Sequence, residues 1–128
     1  MMRKLFLILF SMFFLNTYAQ DKVCSDFKTG KFKYTKASYA HWEINRTETL
    51  QIETNTTTGL VIHNDVKWIS DCEFTLTCSK VSQPAYKHAI GKVFRVIIID
   101  TYNDGYSCIL VHNEVQPNDL KFKMIRTD

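Results

Sequence analysis

Val66-Lys67-Trp68-Ile69-Ser70-Asp71-Cys72-Glu73-Phe74-Thr75-Leu76-Thr77-Cys78 is the stretch whose pattern decides the fold. From Val66 to Trp68, and again from Cys72 to Cys78, apolar or sulfur side chains alternate with Lys67, Glu73, Thr75 and Thr77. A period of two sends one set of side chains to a buried face and the other toward water, as in strands covered on one side. Ser70-Asp71, between the two runs, suits a tight turn or a bulge, because short oxygen-bearing side chains bond the local backbone. On this alternation Trp68 is expected to be buried beside Phe74 and Leu76.

The same pattern extends in both directions. Upstream, Phe32 and Tyr34 alternate with lysines over residues 31–36, Trp42 and Ile44 mark a strand over 41–46, and Leu50 and Ile52 mark another over 49–54. Asn55-Thr56-Thr57-Thr58-Gly59 is a polar turn cluster. Leu60 to Trp68 follows as one bulged strand or two short ones, interrupted at Asn64-Asp65. Downstream, residues 81–90 contain Pro84 and suit one short helical turn, and the apolar run 91–101 reads as a strand covered on both faces. Asn103-Asp104-Gly105 signals a hairpin. With Asp104-Gly105 as its loop, Cys108 would oppose Thr101 and Leu110 would oppose Ile99. A turn at Gln116-Pro117-Asn118-Asp119 leads to Leu120, Phe122 and Met124 on a final strand. About eight short strands without an amphipathic helix imply an all-β fold, an antiparallel meander curled into a small barrel.

The first 19 residues read as a signal peptide: Arg3-Lys4, an apolar run from Leu5 to Leu15, then Thr17 and Ala19 at the small-residue positions of a cleavage site. The run is short of the roughly 20 residues that span a bilayer, so no transmembrane anchor is expected. Residues 20–128 then form a single exported β domain, periplasmic or extracellular. Of 16 basic and 13 acidic residues, Arg3 and Lys4 leave with the signal, so the remainder is nearly neutral. That balance excludes a nucleic-acid footprint.

Cys24, Cys72, Cys78 and Cys108 all follow the signal, and an even count in an exported domain argues for disulfide bonds. Cys72 and Cys78 on one face of one strand would stand roughly 20 Å apart, beyond disulfide reach. Cys24 therefore pairs with Cys72 or with Cys78. The first is favoured because a meander brings both residues to one end of the sheet; the pairing of Cys78 with Cys108 stays open.

Three segments together carry a resemblance: Cys24-Ser25-Asp26-Phe27-Lys28-Thr29-Gly30-Lys31-Phe32, the Arg46 to Glu53 region, and Val66 to Leu76. Over residues 24–76 the chain resembles a family of small exported proteins of Gram-negative bacteria, with a Cys-x-x-Phe-x-x-Gly-x-Phe start and a Val-x-Trp-x-x-x-Cys core. The resemblance adds weight to a Cys24–Cys72 bond and implies no particular activity. Some relatives carry a type II topoisomerase name, which a chain this short and near neutral does not support. More loosely, Gly30-Lys31-Phe32 and Arg126 are similar to the Gly-x-Trp and late Arg of lipocalin-like barrels, with Phe in place of Trp.

His41, His63, His88 and His112 lack metal-ligand spacing, and neither a Cys-x-x-Cys pair nor a nucleophile elbow nor a phosphate-binding glycine loop occurs. No enzyme, metal or cofactor is expected. Phe32, Tyr34, Trp42, Trp68 and Phe74 would converge inside a barrel, either as filled core or as the lining of a mouth. In the second case Trp42 and Trp68 contact an apolar or aromatic small molecule, and Arg46, Gln51 and Glu53 orient it; the plainer reading of those three polar residues is as exposed residues on strand faces. The alternative is a cell-envelope structural or interaction domain, without a ligand cavity, that binds an envelope protein through an exposed sheet face. Asn45-Arg46-Thr47 and Asn55-Thr56-Thr57 match the glycosylation sequon, which matters only in a eukaryotic secretory route.

Overall fold

The computed structural model describes residues 23–112 and 120–128. The signal-peptide expectation and the turn at 116–119 lie outside them. Eight antiparallel strands close on themselves: β1 (Gly30–Tyr34), β2 (Trp42–Arg46), β3 (Leu50–Asn55), β4 (Val61–Ser70), β5 (Glu73–Val81), β6 (Val93–Thr101), β7 (Gly105–Val111) and β8 (Leu120–Arg126). Each strand pairs with the next, and β8 returns to β1 through Phe32 opposite Arg126 and Tyr34 opposite Met124. Among the described residues this closure leaves no edge strand.

Alternation sorts the side chains as the opening stretch requires. Phe74, Leu76 and Cys78 of β5 point into the barrel and are buried. The Ser70-Asp71 signal resolves as a hairpin, since Ser70 pairs with Glu73 and Asp71-Cys72 form the loop. β4 is one continuous strand with register irregularities at His63/Asn64 and Trp68/Ser70. Trp68 is half-buried rather than fully enclosed, its ring tilted against that of Phe74 with centroids 4.4 Å apart at the barrel's end. Its position beside the second irregularity explains the exposure, because the inward row stops there.

Three details depart from the sequence pattern. In β3 the polar residues face inward: Arg46 of β2 pairs with Gln51, which puts Gln51 on the interior face and turns Leu50 and Ile52 outward. The tight β2–β3 turn, in which Thr47 N–H donates to the Leu50 carbonyl, fixes that register. In the β6–β7 hairpin the loop is Asn103-Asp104, closed by Tyr102 N–H donating to the Gly105 carbonyl. Gly105 begins β7 instead, where an added Cβ would meet the Met124 carbonyl oxygen at 1.9 Å. Close approach of the β8 backbone, and not a positive φ, explains this glycine. With a bulge between Ile98 and Asp100, Cys108 then opposes Ile98 and Leu110 opposes Val96. Finally, β6 is covered on one side only: Val96 and Ile98 are buried, whereas Val93 and Ile99 are exposed. A closed barrel has a single interior, so an apolar run on a strand does not imply two covered faces.

The two ends differ. One end is plugged by a 3₁₀ turn (Cys24–Phe27) laid across it, with the Phe27 ring 5.7 Å and the Phe32 ring 5.4 Å from that of Tyr106. Cys24 is disulfide-bonded to Cys72 in the β4–β5 loop, which pins the plug to the barrel. Arg126 holds it from β8 by donating to the carbonyls of Asp26 and Thr29, with its guanidinium 5.1 Å from the Phe27 ring. At the opposite end lie the longer connections, including 3₁₀ turns over Ala37–Tyr39 and Pro84–Ala89. Asn55 caps the β3–β4 turn there, its Oδ1 accepting from the N–H groups of Thr57 and Thr58.

Cys78 and Cys108 are free and buried. Phe74, Val96 and Leu110 share one level of adjacent strands. Cys78 lies four residues to one side of that level and Cys108 two residues to the other, a separation of roughly 20 Å along the strands. Two thiols so placed do not bridge.

Because Cys24 and Cys72 are 48 residues apart, their bond removes on the order of 4 kcal/mol of chain entropy from the unfolded state. Cys24→Ser should lower the melting temperature by more than ten degrees. Non-reducing peptide maps should link Cys24 to Cys72 and leave Cys78 and Cys108 alkylatable after unfolding. A linked Cys78–Cys108 peptide would contradict the register described above.

Candidate functional site

Burying an arginine is costly unless every N–H finds an acceptor, because the cation does not lose its proton. Arg46, at the inner end of β2, is 2% exposed and obtains its partners from three directions. Nε donates to the Lys28 carbonyl at 3.1 Å, Nη2 to the Phe27 carbonyl at 2.7 Å and the Tyr106 hydroxyl at 3.0 Å, and Nη1 to Gln51 Oε1 at 2.9 Å. The rings of Phe32 and Phe74 each lie 4.7 Å from its guanidinium carbon, so aromatic π-electron density substitutes for part of the lost hydration. The plug, β3 and β7 thus meet on one cation.

From Arg46 a directed chain of hydrogen bonds leads toward the open end. An arginine can only donate, so Gln51 must turn its oxygen to Arg46 and its nitrogen onward. Gln51 Nε2 accordingly donates to Glu53 Oε1 at 2.8 Å. Among the described residues, Oε1 is the one oxygen of Glu53 that receives a hydrogen bond. Burial raises the Glu53 pKa above the ordinary carboxyl value of 4.5, opposed by the Gln51 hydrogen bond and by the charge of Arg46.

Above the filled closed end the interior opens into a cavity of about 220 Å³, room for about seven waters at roughly 30 Å³ each. Its walls differ in kind. Arg46 pairs with Gln51, Gln51 with Asn64 and Asn64 with Cys78, so one row of paired polar residues crosses β2, β3, β4 and β5. Facing it are Phe94 and Val96 of β6, Leu110 of β7, and Phe122 and Met124 of β8. Ala89 and exposed Lys92 stand at the rim. The Cys108 thiol also faces the cavity and is pushed up to about 12 by burial, so it is not a thiolate nucleophile at neutral pH.

Arg46, Gln51 and Glu53, named from sequence as ligand-orienting residues, come together on this cavity. Trp42 and Trp68 do not line it. Trp68 sits at the closed end with the Lys28 ammonium 5.2 Å from its ring, and half-buried Trp42 lies beside His41 at the top of β2. Sequence reasoning passed over Asn64, which reads as a strand interruption. Its signal is phase: Asn64, Val66 and Trp68 fall on one face of β4. Among the described residues no group of three or more His, Cys, Asp or Glu side chains is placed to hold a metal ion, and no helix is long and apolar enough to cross a membrane. The chain matches no family model, no curated protein and no solved structure.

The raised Glu53 pKa has a definite sign. The folded state binds this proton more tightly than the unfolded state does, so the stability it contributes is complete below about pH 4 and is lost as pH rises through the folded pKa. Glu53→Gln keeps the shape and mimics the protonated form. Its melting temperature should match wild type near pH 3.5 and exceed it at pH 7, by thermal melts across that range. A variant less stable than wild type at pH 7 would show that ionised Glu53 stabilises the fold through Arg46.

Proposed function

We propose that this protein is an exported, non-enzymatic binding module that holds a small, largely apolar ligand inside its barrel. The observation that carries the reading is the cavity of about 220 Å³, with an apolar wall on β6–β8 facing a polar row on β2–β5. Ligand sites are commonly of this kind, apolar overall with a few convergent polar groups that set orientation. Eight-stranded barrels are also just wide enough for core side chains or one small ligand. The Cys24–Cys72 bond supports export, since such bonds persist in oxidising compartments. A lipocalin-like assignment draws support from Arg126, whose guanidinium lies 5.6 Å from the Phe32 ring.

The competing reading, an envelope interaction domain, rests on exposed Val93 and Ile99 of β6. Those residues are six positions apart on one strand, roughly 20 Å, and Arg95, paired with Glu73, intervenes between them on the same face. A polar pair in the middle argues against a single apolar docking patch.

Indole, a probe that fits the cavity, should shift the amide resonances of Asn64, Val96 and Leu110. Leu110→Trp, which fills the space, should abolish those shifts while leaving the protein folded. Indole shifts confined to Val93 and Ile99 and unaffected by Leu110→Trp would favour the interaction domain instead.

A further inference from the structure

The polarity of the cavity's hydrogen-bond chain restricts what can complete it. Three of the four N–H bonds of Arg46 go to the backbone carbonyls of Phe27 and Lys28 and to the Tyr106 hydroxyl, and the fourth goes to Gln51. Of its five N–H groups a single one, on Nη1, has no bond, so no paired N–H edge remains for the two-pronged grip by which arginine holds a carboxylate. Gln51 passes the donor direction on to Glu53, whose Oε1 it occupies. The chain therefore ends, on its cavity side, at a carboxyl oxygen with no donor of its own among the described residues.

We propose, resting on the small-ligand reading above, that the ligand is a small apolar amine whose ammonium group is received by Glu53. Its hydrocarbon or aromatic body then lies against Phe94, Leu110 and Phe122 on the opposite wall. An ammonium head group supplies the donor that the chain lacks and the positive charge that holds Glu53 ionised in an enclosed site. Asn64, on the neighbouring strand of the polar row, offers a second acceptor through its amide oxygen. A carboxylate ligand would instead place two acidic groups together and would have to break the Arg46–Gln51 bond to find a donor pair. Lys92, the cation at the rim, is exposed, so water and salt screen it from a charge held within.

Benzylamine, benzyl alcohol and benzoate share one ring and differ in the head group, so calorimetric titration of the full-length mature protein with each at pH 7 separates the possibilities. Benzylamine should bind about tenfold or more tighter than the other two, the order expected for an enclosed charge pair. Glu53→Gln should erase that preference, bringing benzylamine down to the affinity the variant shows for benzyl alcohol. Benzyl alcohol binding as tightly as benzylamine, or an amine preference that survives Glu53→Gln, would overturn the amine proposal and leave the cavity reading standing. Benzoate binding tightest would do the same and would point to Arg46 as the receiving group. Binding of none of the three would overturn both.

Discussion

A guanidinium sealed inside a small β-barrel is the constraint on which the rest of this structure depends. Arg46 cannot shed its charge, and an uncompensated buried cation would cost several kcal/mol. Its acceptors therefore have to be in place whenever the barrel is closed. Two of them are backbone carbonyls of Phe27 and Lys28, so the N-terminal plug must lie across the end of the barrel. A third is the Tyr106 hydroxyl, which ties β7 to the same point. The Cys24–Cys72 bond and the Arg126 contacts act on the plug from outside and limit its positions to those that serve Arg46. Three independent tethers converge on the short segment from Cys24 to Thr29.

The same constraint accounts for the cavity. Around Arg46 the barrel is filled by large rings, Phe27, Phe32, Phe74 and Tyr106, which shield the cation and pack on one another. Beside these rings the inward positions of β4, β5 and β7 carry Asn64, Cys78 and Cys108 instead, smaller side chains that line the cavity and do not reach across. A barrel of fixed strand number has a fixed width, so smaller inward residues leave a space. The polar row Arg46, Gln51, Asn64 and Cys78 gives that space one hydrogen-bonding wall. Satisfying the first member orders the second, and the second orders Glu53. A ligand of the kind proposed would thus meet groups already ordered by the stabilisation of the plug.

Much of the barrel was legible in the sequence, for a physical reason: alternation is local, and the stretch from Val66 to Cys78 shows it without ambiguity. The Cys24–Cys72 bond was legible once strand geometry separated Cys72 from Cys78. What escaped were features set by register between strands. β3 was read with Leu50 and Ile52 inward because apolar residues usually are. Pairing of Arg46 with Gln51 reverses that phase, and only the geometry of the turn at Thr47 decides it. The hairpin glycine was misassigned for a similar reason, since Gly105 answers to β8 and not to its own turn. Of the proposed site residues, Arg46, Gln51 and Glu53 could be grouped because they share one short hairpin. Trp42 and Trp68 were chosen for size and aromaticity alone, and neither property says which end of the barrel a residue occupies.

The central claim, that Arg46 is a sealed cation bonded through four of its five N–H groups and organising the closed end, is open to direct measurement. Nitrogen-resolved NMR of the arginine side chains compares Arg46 with Arg95, whose side chain is 38% exposed. A sealed guanidinium requires separate, slowly exchanging Nε and Nη signals for Arg46, with hydrogen-bond couplings from Nη2 to the Phe27 carbonyl and from Nε to the Lys28 carbonyl, beside rapidly exchanging signals for Arg95. Arg46 protons that exchange with solvent as fast as those of Arg95 would show that the plug is not seated, and the account would fall with it.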